Sequence, residues 1–166
     1  GDTGMVQGGA AGYEVDAVNF HLGSPPDIPV LATATGFPDS YVDDPGNRNN
    51  LCSSYALNNE RLLLTYARTV AEAIATGLFK FVCHPDLMLF SWGTFDDVAR
   101  RASEQIIAAA VRHGVALEIN ANGIRKGMRP YPEGERYAFP RKEFWELAKK
   151  MGATIIISSD AHSPDQ

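Results

Sequence analysis

Apolar positions recur at two different periods along the chain, and the switching between those periods sets the fold to be expected. Residues 79–83 (FKFVC), 115–119 (VALEI) and 154–157 (TIII) are short, apolar and partly β-branched, the pattern of buried strands. Between them the period becomes helical. Leu63, Ala67, Val70 and Ile74 mark one helix face at spacings of four and three, with Asn58 or Asn59 as N-cap and Gly77 as stop. Val98, Ala102, Ile106 and Ala109 give a second stripe; Thr94 with Asp97 resembles a capping box, and Gly114 stands where a terminal glycine belongs. A third helix opens at Pro140 and carries Phe144, Leu147, Ala148 and Met151 on one face before Gly152.

A β-α-β-α-β order with such short joins predicts parallel strands, covered by helices and linked by right-handed crossovers. The fold class expected is α/β. Segment 13–21 (YEVDAVNFH) alternates well enough to be a further strand. Residues 22–58 are crowded with Gly, Pro, Asp and Asn and predict a long loop, either a lid over a site or a partly disordered insertion.

Bulk properties narrow the classes. A chain of 166 residues, 45% hydrophobic and 21% charged, suits one globular domain, residues 1–166. No run approaches the about 18 apolar residues that a membrane span needs, and the start has no signal-peptide pattern, so a soluble, cytoplasmic protein is expected. Two cysteines, Cys52 and Cys83, are too few for a disulfide framework. The net charge of -5 disfavours nucleic acid as main partner. Arg125, Lys126, Arg129 and Arg136 do cluster, as a loop that attracts a small anion or as an ordinary solvated loop.

In parallel α/β folds chemistry collects where strands end. Here FKFVC runs into His84, VALEI into Asn120, and TIII through Ser158 and Ser159 into Asp160 and His162, while the first candidate strand ends at His21. Imidazole and carboxylate together suit zinc, iron or manganese. Taken singly, His84 can simply cap a strand, and Asp160 and His162 can form a turn. Converging on one sheet end, however, they would be costly without a partner, and a metal supplies one. His113 ends a helix, where positive charge favours the dipole, and receives no chemical role. Cys83, beside His84, reads as a small buried apolar residue.

CHPDLML, ALEINANGIRKG and IIISSDAHSPDQ resemble successive motifs of the PHP (polymerase and histidinol phosphatase) superfamily, most closely its histidinol-phosphatase branch, over roughly residues 79–166. The resemblance implies a distorted (β/α)7 barrel holding up to three divalent ions and hydrolysing a small phosphate monoester. It implies metal ligation by His84, Asp160 and His162, with His21 as a further ligand. GYEVD also resembles the family's glutamate motif, which would make Glu14 a bridging ligand, but His21 then follows seven residues later, too soon for both assignments to fit. Arg125 resembles the phosphate-binding arginine, whose planar fork matches two phosphate oxygens, and Asn120 is a second candidate for substrate contact. Ions held by such ligands would give a hydroxide for in-line attack, with Asp160 and His162 as the candidate catalytic residues.

The pattern departs from the family in two further respects: its opening HxH motif is not found, and the chain stops where another helix should follow. The expectation is therefore a barrel lacking its first strand or strands and its C-terminal helix and strand. Two other functions are kept open. One is a PHP module acting on nucleic-acid ends; the other is a non-catalytic, metal-binding relic. The sequence leaves the phosphate ester and the oligomeric state open.

Overall fold

The computed structural model describes residues 57–161, 163 and 165, and, upstream, the backbone of four short strands. These are β1 (Val6–Gln7) and β2 (Glu14–Val15), paired antiparallel, and β3 (Tyr41–Asp43) and β4 (Leu51–Ser53), also antiparallel. Of the strand expected over 13–21, only Glu14–Val15 lies in the described residues. The expected loop 22–58 contains the β3–β4 pair, because Tyr41, Val42 and Cys52 are strand-formers set between the turn residues.

From residue 57 onward the order is helix and strand by turns: α1 (Glu60–Ala75), β5 (Phe81–Val82), a 3-10 turn (Pro85–Leu89), α2 (Asp97–His113), β6 (Ala116–Asn120), α3 (Ala121–Arg125), the hairpin β7 (Met128–Tyr131) and β8 (Gly134–Tyr137), α4 (Lys142–Lys150), and β9 (Ile155–Ser158). Strands β5, β6 and β9 form a three-stranded parallel sheet with β6 in the centre. The protein is therefore of the α/β class. Among the described residues no helix is long and apolar enough to cross a membrane.

The core lies on one face of this sheet. Leu63, Ala67, Val70 and Ile74 of α1, Ala102, Ile106 and Ala109 of α2, and Phe144 and Ala148 of α4 pack with Val82 and Leu117. Leu117 and Ile119 share that face, so the period of two sends Glu118 and Asn120 to the other. Hydrophobic burial therefore orients the polar residues of β6 before any of them forms a hydrogen bond.

The helix ends keep most of the expected caps and correct one. Asn59 caps α1, its side chain accepting from the Leu62 amide at 3.0 Å. Helix α2 is capped by Asp96 rather than Thr94: its carboxylate accepts from the Ala99 amide at 2.9 Å and from Trp92 Nε1 at 3.1 Å, and a negative charge suits a helix start. Gly114 ends α2 at φ 66°, as its position suggested. Helix α4 starts at Lys142, after Pro140, and has no side-chain cap.

The basic stretch expected as a loop is a hairpin. Arg136 lies 3.4 Å over the Tyr131 ring and donates to Glu133 Oε1 at 2.8 Å and to the Trp92 carbonyl at 2.9 Å, so this cation is spent on holding the hairpin to the segment before α2. Arg141 ties three segments together. Its buried guanidinium donates to Glu133 at 2.9 Å and to Glu143 at 2.9 and 3.2 Å, and its backbone N–H donates to the Asp86 carboxylate. Trp145 Nε1 donates to the same Asp86 oxygen at 3.1 Å. Burial pushes the Asp86 carboxyl up to about 6, against those bonds.

Partial burial opposes ionisation of Glu133, but its hydrogen bonds from Arg136, from its own backbone and from Arg141 prevail and hold the carboxyl at about 2. A depressed folded-state value means that Glu133 contributes stability above about pH 4.5, its unfolded value, and that the contribution disappears as pH falls towards 2. Urea unfolding of Glu133→Gln should show a loss on the order of 1 kcal/mol at pH 7, kept small by solvent screening. The deficit relative to the parent should shrink between pH 4.5 and 2; a pH-independent deficit would show that the ion pairs do not carry it.

Candidate metal centre

The site forms where β5, β6 and β9 end side by side, on the sheet face turned away from α1, α2 and α4. His84 follows β5 and is buried, at 6% exposure, with φ 25°. Asp160 follows β9 with φ 47°. Among the described residues these are the two non-glycine residues at positive φ, a conformation side chains rarely adopt and one that concentrates at functional sites.

Glu118 lies between them, 2% exposed. Its Oε2 accepts the His84 backbone N–H at 2.9 Å and Asn120 Nδ2 at 3.4 Å, and its Oε1 accepts the Ser158 hydroxyl. Asn120, also buried, gives a second bond from Nδ2 to Asp160 Oδ2 at 2.9 Å, while its Oδ1 accepts the Asn122 amide at 2.9 Å. Asn122 Nδ2 adds a bond to the same Asp160 oxygen at 3.1 Å. Arg125, exposed at the end of α3, donates to the Asp160 backbone carbonyl at 2.9 Å.

The His84 ring is neutral-leaning. Burial lowers its pKa, and the Glu118 and Asp160 carboxylates oppose that without overcoming it. Its Nδ1 is buried with no hydrogen-bond partner among the described residues. Neither Glu118 nor Asp86 forms an ion pair among the described residues, and the Lys126 charge acts on the His84 ring in the same direction as burial. The His84 ring is 5.8 Å from Phe139, and Lys126 Nζ is 5.5 Å from the far partner of that contact, the Phe139 ring.

Of the residues expected here from sequence, the structure brings together His84, Asn120, Arg125 and Asp160. His21, His162 and the side chain of Glu14 lie outside the described residues. Among the described residues no three His, Cys, Asp or Glu side chains form a group that could hold an ion. Glu118, Asn122 and Ser158 were not expected. Glu118 did carry a signal: a carboxylate inside an apolar strand, VALEI, must find partners once buried. No signal marked Ser158, since serine after a strand is an ordinary loop residue. No protein-family model and no curated relative matches the chain.

Gly123 in α3 sits directly against Phe139: a Cβ there would collide with the Phe139 carbonyl and ring. Since Phe139 in turn lies against His84, this close approach helps seat the site. Alanine is the better helix former by about 1 kcal/mol, yet Gly123→Ala should destabilise the protein by about 1–3 kcal/mol through overpacking. Thermal or urea unfolding checks this, and an unchanged or raised midpoint would show that Phe139 yields at no cost.

Proposed function

We propose that this chain is a metal-dependent phosphoesterase of the PHP kind, its α/β sheet belonging to a distorted (β/α)7 barrel and its substrate a small phosphate monoester, histidinol-phosphate-like. The observation that carries the reading is the buried Nδ1 of His84, which has no hydrogen-bond partner among the described residues and is set among the carboxylates of Glu118 and Asp160 at one sheet end. A neutral imidazole with a free ring nitrogen and an adjacent carboxylate is a donor set for zinc, iron or manganese. His84 and Asp160 would hold the ions, together with His162 and His21, and with Glu14 as a further candidate. Divalent ions bound there would polarise the phosphoryl group and acidify a water to near neutrality.

The chain's own residues have distinct tasks in this reading. Asn120 and Asn122 fix the Asp160 carboxylate through one oxygen, leaving its orientation set before substrate arrives. Arg125 spends one N–H on the Asp160 carbonyl and is otherwise exposed, so its guanidinium can meet phosphate oxygens at the mouth of the site. Asn120 is buried, with its amide engaged at both ends; substrate contact by it would require exchange of one of those bonds. Lys126 and Arg129 are exposed beyond α3 and add positive charge that attracts a phosphate dianion.

Metal analysis of the purified chain, with kinetics on a panel of phosphate monoesters, tests the reading. The parent should bind manganese or zinc, and His84→Ala and Asp160→Asn should each lower metal stoichiometry; undiminished metal in both would overturn the site. Arg125→Lys keeps charge but loses the fork, so phosphate inhibition should weaken at unchanged metal content, by about 1.5–3 kcal/mol for each charge-assisted bond lost. Parent-like phosphate inhibition in Arg125→Lys and Arg125→Ala would place this arginine outside substrate binding.

A further inference from the structure

We propose that Glu118 is the positioning residue of this site, holding His84 and Asp160 in their positive-φ conformations by hydrogen bonding rather than by binding an ion itself; this rests on the reading of the site as a metal centre. A carboxylate in the middle of a central strand is in a costly place, since burial removes its hydration. Among the described residues it has no cationic partner to offset that cost, and its acceptor capacity goes instead to three donors at the ends of its own strand and the two flanking it.

Each bond constrains a different part of the site. The His84 amide is the donor of the segment that turns at φ 25°, and a backbone conformation of that kind persists only where its surroundings over-determine it. The Ser158 hydroxyl ties the end of β9, two residues before Asp160 turns at φ 47°. The shared Nδ2 of Asn120 reaches Glu118 and Asp160 together, and its Oδ1 is taken by the Asn122 amide, so the orientation of the Asn120 amide is determined. One side chain thereby couples both proposed ligands. Both Glu118 oxygens are already engaged by these donors, which sets Glu118 behind the ligands rather than beside them.

The distinction between positioning and charge is testable because glutamine keeps the shape of glutamate. In Glu118→Gln the carbonyl can still accept from His84 and Asn120, and the Ser158 hydroxyl can rotate to accept from the new amide. In Glu118→Ala all three bonds are lost. The full chain and both variants are compared by manganese titration calorimetry and by backbone amide exchange at His84, with circular dichroism confirming that each is folded. Glu118→Ala should raise the manganese Kd by about 10- to 100-fold and speed exchange of the His84 amide about 10-fold. Glu118→Gln should recover most of both. If glutamine is as damaging as alanine, Glu118 acts through its charge or as a ligand, and the proposal is overturned; it is overturned equally by parent-like affinity and exchange in Glu118→Ala. Should the parent bind no manganese, the metal reading fails by itself, and amide exchange alone decides the positioning role, fast in alanine and restored in glutamine. If Glu118→Ala does not fold, Ser158→Ala takes its place: a weaker change in the same direction supports the proposal, and no change in either readout sinks it.

Discussion

A buried carboxylate has to be hydrogen-bonded, and in this protein the cost of burying Glu118 at the centre of the sheet organises what surrounds it. The helices claim the other face of β6 through Leu117 and Ile119, so the pleat leaves Glu118 no route to solvent on the core side. It takes donors from both flanking strand ends instead, and those donors belong to the segments that carry His84 and Asp160. The backbone conformations of these two residues, unusual for side chains other than glycine, are a consequence of that demand as much as of their own sequence.

A second buried polar arrangement performs the same service on the outer side. Asp86, two residues beyond His84, accepts the Arg141 backbone N–H and Trp145 Nε1, and so pins the 3-10 turn to the start of α4. Arg141 extends the connection to Glu133 at the tip of the β7–β8 hairpin. Breaking such a buried network by removing one partner costs more than the bond's net worth, because the group left behind stays dehydrated. The His84 segment is thus held from the sheet side through its backbone and from the helix side through its neighbour. Its ring Nδ1, like Asp86 Oδ1, has no hydrogen-bond partner among the described residues.

Much of the fold was legible in the chain. The three parallel strands, the faces of α1, α2 and α4, and the terminal glycines Gly77, Gly114 and Gly152 fall where period and turn chemistry put them, because these are local signals repeated over many residues. The hairpin over 128–137 was not legible, since MRPYPEGERY is polar and contains two prolines, and its strands are held by Arg136 and by the Tyr131 hydroxyl bonded to the Phe90 carbonyl. The cap of α2 was misplaced by two residues because Thr94 and Asp96 are both good caps; Asp96 takes the Ala99 amide and also accepts from Trp92 Nε1.

The site divides in the same way. By itself the sequence determined which polar residues stand at strand ends, His84, Asn120 and Asp160 among them, because strand length and the glycine stops that set it are written locally. It also determined that Glu118 faces away from Leu117, since alternation in a strand has a fixed period. Only the tertiary structure decided that Glu118 is the common acceptor for residues 34 and 40 positions away, that Asn120 bonds Asp160 across the same gap of 40, and that Arg125 grips a carbonyl beside it. Hydrogen bonds between side chains distant in sequence depend on strand order and register, and these follow from how the whole helical face packs rather than from any segment alone.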